Sequence, residues 1–196
     1  VGYNNSGAIS NSSAEGNVSA NATGASASAG GLVGWNYYGA ISNSSAEGNV
    51  SANSTSSTAY AGGLVGYNYS EAISNSSAEG NVSANAPSTF TGGLVGRNEY
   101  SKLSDVFATG TVTGKDNVGG LVGLNQNSNI INANTAATSI VTASGNNVGG
   151  LIGNNYSTNS NTYSIKNSHA LGDVNANSSD EVVGLIGRSE NSYLGV

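Results

Sequence analysis

The chain has no cysteine and no methionine, one proline, one tryptophan, and only 8% charged residues among 196. Without cysteine, neither a disulfide nor a thiolate metal centre can staple the fold. Stability must therefore come from backbone ladders and packing. Scarce charge removes an ordinary salt-bridged surface and predicts poor solubility for isolated monomers. No run approaches the ~20 apolar residues of a membrane span, and no secretory signal precedes Val1. A mature or excised exported segment fits these absences. Lysine and arginine are missing before Arg97, whereas Glu15, Glu47, Glu71 and Glu79 lie in that half, and the net charge is −6. With no basic stripe to release counterions, nucleic-acid binding is not expected.

What the chain has instead is repetition. Gly-Gly-Leu-Val-Gly starts at Gly30, Gly62, Gly92 and Gly119, and returns at Gly149 with Ile152 in place of valine. The last glycine of each string, followed from Gly2 through Gly34, Gly66, Gly96, Gly123 and Gly153 to Gly187, is spaced by 32, 32, 30, 27, 30 and 34 residues. Aliphatic residues that return in register have no reason to exist in a solvated linker, so disorder is set aside despite the Asn/Ser/Gly-rich composition. One repeat domain, 1–196, is expected, with units 1–29, 30–61, 62–91, 92–118, 119–148 and 149–183 and a partial unit 184–196.

Within the second unit, residues 32–36, 40–45 and 49–53 read as short strands parted by Gly39 and Gly48, and no helical stripe of adequate length occurs. Three strands with turns use about 30 residues, the size of one rung of a parallel β-solenoid. The predicted fold class is thus all-β, a parallel solenoid of about six coils. Three inward columns follow from alignment: Ile9, Ile41, Ile73, Leu103, Ile131, Ile165; Val18, Val50, Val82, Val112, Ile140, Val174; and the small Ala14, Ala46, Ala78, Ala108, Ala136, Ala170. The last suits a place where opposing sheets approach closely. A polar column, Asn11, Asn43, Asn75, Asp105 and Asn167, broken by Ala133, predicts inward amides bonded up the axis. The variable stretches 22–29, 54–61 and 86–91, which include Pro87, read as edge loops, trimmed to 114–117 in the fourth unit.

The pattern Gly-Gly-Leu-Val-Gly-x-Asn followed by Ala-Ile-Ser-Asn-Ser-Ser-Ala-Glu-Gly-Asn-Val-Ser resembles the GLUG-motif repeats of bacterial and archaeal cell-surface proteins. The resemblance covers nearly the whole chain. It implies an exported β-solenoid with adhesive or envelope roles and no shared catalytic residues. Where the family commonly carries an aromatic, this chain has Ser13, Ser45 and Ser77, with a ring restored by Phe107 and His169. His169 therefore reads as a repeat-position substitute, without a second histidine to work with.

Candidate chemistry is sparse. Glu15, Glu47 and Glu79 share a turn column that either splays into solvent or shares a Ca²⁺ ion, and solvation is the favoured reading. Tyr3, Trp35 and Tyr67 form an aromatic column expected to face outward, available to pack on a neighbouring chain, to stack within the chain or to bind glycans. Of twelve Asn-x-Ser/Thr sequons, Asn21 and Asn53 are the expected glycan acceptors, since Asn11, Asn43 and Asn75 are read as inward. Asp105 near Lys102 is the nearest approach to an acid–base pair, so no enzyme activity and no cofactor are expected. Regular Thr-x-Thr files of an ice-binding face are missing, because Thr109, Thr111 and Thr113 occur together in one unit only.

The sequence opens inside a repeat at Val1, Gly2, Tyr3 and Asn4 and closes on Leu194, Gly195 and Val196. Open strand edges at both ends would template further copies. The sequence-level expectation is a structural protein of the cell surface or envelope that assembles head to tail with itself into an amyloid-like filament, sheath or S-layer, the two end segments rebuilding one strand. The alternative is a stalk or glycan-binding segment of a large adhesin.

Overall fold

The computed structural model describes residues 1–158, 163–177, 182–191 and 193–194. Short polar-apolar alternations separated by glycine and asparagine leave each segment too short to stand alone, and each pairs with the segment one coil away. The result is a parallel β-solenoid of about six turns, all β, with no helix among the described residues. In the second coil the chain runs through Val33–Tyr37, Ile41–Ser42 with Ser45–Ala46, Val50–Ser54, and Thr58–Gly62. Repetition of these segments builds four stacked sheets, called first to fourth in that order, and every pairing is parallel.

The three expected strands are present, and the fourth comes from the stretches read as loops. Ala27–Gly30, Thr58–Gly62 and Ser88–Gly92 pair in register as the fourth sheet. Their inward residues are small in the first two, Ala27, Ala29, Ala59 and Ala61, and threonine in the third, Thr89 and Thr91, while the outward Ser28, Tyr60 and Phe90 vary. The alanine-lined strands lack the β-branched signal that marks the others. The fourth unit's shorter spacing is absorbed there, where the strand shrinks to Val118–Gly119.

The aliphatic columns hold in the first four coils. In the fifth the register differs by one residue: Leu103 pairs with Ile130, Ala108 with Thr135 and Val112 with Val141. Ile131 and Ala136 are only half-buried and Ile140 is exposed. A one-residue slip turns a side chain to the other face, so Ile130, Thr135 and Val141 replace them.

The column of Asn11, Asn43, Asn75, Asp105 and Asn167 is not inward. All five are exposed at a corner of the coil, with φ between 47° and 55°. Asn132, φ 53°, fills the place assigned to Ala133, which is buried. Asparagine and aspartate are the residues that tolerate this left-handed backbone, so the corner rather than an amide ladder explains the column.

The Gly-Gly pair forms a waist. A Cβ on Gly63 would lie 2.2 Å from the Gly93 carbonyl oxygen of the next coil and 2.7 Å from the Ala78 Cβ across the interior. The small alanine column therefore marks the expected close approach of opposing walls. On one side of the waist, Leu32, Val33, Ile41 and Ala46 and their counterparts fill a continuous core between the first and second sheets. On the other, Ala29, Val50, Ala52 and Ala61 pack the third sheet against the fourth.

The end segments do not rebuild one strand. Tyr3–Asn5 lies in the first sheet, against Val33–Tyr37, whereas Leu194 pairs with Ile165 in the second. Leu194 thus occupies the column of Ile9, not that of Leu32; Gly195 and Val196 lie outside the described residues.

Candidate functional site

The feature that distinguishes one part of this uniform coil from another is an aromatic face over the first four coils. The strand after each Val-Gly pair carries two outward positions, occupied by Trp35 and Tyr37, then Tyr67 and Tyr69. The fourth sheet runs alongside and presents Tyr60 and Phe90. Trp35 meets Tyr60 at 5.3 Å and Tyr67 at 4.9 Å between ring centroids, and Tyr60 stacks on Phe90 at 5.5 Å. Tyr37 contacts Tyr3, Tyr67 and Tyr69.

The predicted column Tyr3, Trp35 and Tyr67 is in register and continues into Arg97 and Leu124, but it is not uniformly exposed. Tyr3 is open, Trp35 half-buried and Tyr67 buried beneath its neighbours. Rings from the fourth sheet, invisible when that sheet is read as loops, cover it. Intrachain stacking is therefore the arrangement present.

Past Tyr67 the face closes on a charged pair. Glu99 is 5% exposed, accepts a hydrogen bond from the Tyr67 hydroxyl and pairs with Arg97. The Arg97 guanidinium also lies 5.4 Å from the centroids of Tyr67 and Phe90, a cation–π arrangement. Burial, then the hydrogen bond to Glu99, pushes the Tyr67 phenol well above its ordinary value of 10.0. Burial works against the Arg97 cation, but Glu99 outweighs it and raises the pKa. In later coils the same two positions carry Leu124 and Gln126, then Asn154 and Tyr156, so the aromatic density ends here.

Beneath the rings runs a ladder that motif reading did not single out. Asn36, Asn68, Asn98, Asn125 and Asn155, the constant asparagine after Val-Gly-x or Ile-Gly-x, are all buried. Asn4 Nδ2 donates to Asn36 Oδ1 (2.7 Å), and the series continues from Asn36 to Asn68 (2.7 Å), Asn98 (2.9 Å), Asn125 (3.0 Å) and Asn155 (2.9 Å). Most of these amides also donate to a turn carbonyl three residues on, as Asn36 does to Gly39 at 2.6 Å. The signal was available: an amide that returns at one inward place in six coils needs an amide above and below it.

On the opposite side, the outer face of the third sheet forms a shallow trough of about 570 Å³ between Asn17, Asn49, Asn81 and Thr111 on one wall and Ser19, Ser51, Ser83 and Thr113 on the other. Asn17, Asn49 and Asn81 each accept a backbone N–H from the next coil at 2.8–2.9 Å. These asparagines act as rivets between coils.

Glu15, Glu47 and Glu79 are exposed at one corner. Among the described residues no three of His, Cys, Asp or Glu converge as a metal site would require. Asp105 accepts from Asn132 Nδ2 at 2.8 Å and forms no ion pair with Lys102. His169 sits in the Phe107 column as expected, its Nδ1 3.2 Å from Asn134 Oδ1. No helix of the described residues is long and apolar enough to cross a membrane.

Asn21 and Asn53 lie in paired strands of the third sheet. The Asn53 Nδ2, the atom that would carry a sugar, donates to Asn21 Oδ1 (2.9 Å) and Ser51 Oγ (3.1 Å). Asn11, Asn43 and Asn75, read as inward, are instead exposed at the corner.

Comparison with curated proteins and with solved structures returns no match. Against family models, the GLUG motif matches residues 25–51, 57–83 and 91–113. Those stretches each take in the waist glycines or the alanine column, and the same coil repeats on both sides of them. The chain is a β-solenoid that carries GLUG-motif repeats in its second to fourth coils.

Proposed function

We propose that this chain is an exported structural module that forms a stiff rod at a cell surface or envelope. It grows by stacking coil upon coil, with copies of itself meeting at the open strand edges. The observation that carries this reading is the continuity of the ladders. Backbone strands, buried aliphatics and the Asn36–Asn155 amide file all run along one axis. Such stacking is the geometry of cross-β order and resists local opening.

Electron microscopy of the purified chain tests assembly. Long fibres or tubes whose length grows with concentration are expected; monodisperse short rods at every concentration would dispose of self-assembly. A second reading, a ligand-contacting segment of an adhesin, is favoured by the aromatic face, since Tyr3, Tyr38 and Tyr100 remain about half exposed.

A further inference from the structure

The corner two residues past Asn4, Asn36, Asn68, Asn98 and Asn125 turns through a left-handed residue: Ser6, Tyr38, Ser70, Tyr100 and Asn127 have φ between 48° and 78°. Serine and asparagine adopt this backbone at modest cost, whereas a bulky aromatic there is an outlier. Tyr38 and Tyr100 nevertheless occupy it, at φ 55° and 49°, and lie 52% and 47% exposed. Strained backbone positions of this kind are a signature of functional sites.

The two tyrosines do not stand alone. Tyr69 bridges them, with its ring centroid 5.7 Å from Tyr38 and 5.6 Å from Tyr100, both edge to face. Tyr37 extends the file at 5.4 Å from Tyr69. None of the Tyr38, Tyr69 or Tyr100 hydroxyls is hydrogen-bonded within the described residues. Tyr38 and Tyr100, each set edge to face against the half-buried Tyr69, thus stand two coils or about 10 Å apart along the solenoid axis with unspent donors. Successive coils advance by nearly the rise of a linear chain of pyranose rings.

Charge selects among occupants. No lysine or arginine precedes Arg97, and Arg97 is taken up by Glu99. The exposed Glu71, beside Ser70, and the exposed Lys102, two residues past Tyr100, are opposite in sign and cancel in sum. The strip therefore carries no net charge to hold a uronic or sulfated polymer, and a neutral polymer needs none.

We infer that Tyr38, Tyr69 and Tyr100 form a binding strip for a linear, uncharged polysaccharide laid along the axis, its apolar ring faces stacked on the tyrosines and its hydroxyls bonded to theirs. This deepens the adhesin reading and rests on it, but does not depend on self-assembly. The test is retention of the full chain on cellulose, chitin and mannan in affinity electrophoresis and pull-down. The comparison is the double variant Tyr38→Asn, Tyr100→Asn, which carries the residue that coil five uses at Asn127. Wild type should be retained by at least one of the three, and the double variant should lose roughly tenfold or more in affinity with a Tm equal or higher, because strain is relieved.

Absence of retention on all three polymers, or equal retention by the double variant, would overturn the strip. So would a double variant that keeps whatever polymer binding wild type has but loses lateral self-association in analytical ultracentrifugation, which would make this face a contact between copies. Fibres by microscopy with no polysaccharide retention would leave the structural rod standing and remove the strip alone.

Discussion

Asparagine serves three separate purposes here, decided by backbone angle and burial. At the corner, Asn43 supplies a left-handed φ; on the outer third sheet, Asn49 accepts a neighbouring N–H; in the interior, Asn98 links Asn68 to Asn125. Replacing Asn98 by alanine leaves buried amide groups short of partners, at about 1–3 kcal/mol for each group left unsatisfied. Urea unfolding of Asn98→Ala should show a loss of about 2–4 kcal/mol, whereas Asn43→Gly, which keeps the corner's freedom, should stay within about 0.5 kcal/mol. Equal losses would mean that the buried ladder contributes no more than the corner. Tyr67 gives a pH signature. Its phenol is raised above 10.0 in the fold, so the unfolded chain loses that proton first. Stability should be level up to about pH 10 and fall as pH rises beyond it. Tyr67→Phe should flatten part of that fall and cost about 1 kcal/mol at neutral pH for the lost bond to Glu99.

A strand in this chain is two to seven residues long, and its register is set by the coil above and below. The waist glycines make that register possible because the carbonyl of the next coil occupies the space of a side chain. Gly63→Ala places a methyl 2.2 Å from the Gly93 oxygen, and the coils must part to admit it. The expected cost is about 3 kcal/mol or more. Gly24→Ala, with nothing within 4 Å, should be neutral or gain up to about 1 kcal/mol. Thermal melts of the two variants separate steric need from mere glycine content. The fifth coil shows where strand register escapes sequence alignment. Ile130 and Ile131 are adjacent and equally aliphatic, and only the hydrogen-bonded pairing with Leu103 selects the first. The left-handed corner was the missing anchor: Asn132, not Ala133, satisfies it, and placing it there moves the isoleucine into register.

For the whole molecule, stability is close to a sum of coils and the interfaces between them. Interior coils have both. Ile41, Ile73, Leu103 and Ile130 are fully buried, while Ile9 in the first coil is only half-buried. Hydrogen exchange should follow this order. The amides of Leu64, Leu94 and Leu121, each bonded to the next coil at 2.9 Å, should exchange roughly two orders of magnitude more slowly than those of Ile9 and Val18. Uniform protection along the rod would argue for a single cooperative unit in place of stacked ones.

Repeat length, parallel stacking and the aliphatic columns were legible in the bare chain, because a residue that returns every coil at one depth must face the same environment each time. The amide ladder was equally periodic, but periodicity alone does not say which of several asparagine columns points inward. That required the backbone, since a φ near 50° turns Asn43 out while an extended strand turns Asn36 in. The fourth sheet and the buried Tyr67 belong to the same class. Small alanines carry little strand signal, and which rings cover which depends on two sheets meeting at an edge. Composition and period determined what the coil is made of; the tertiary stack alone decided which way each side chain faces, because facing is set by hydrogen bonds to a neighbouring coil about 30 residues away.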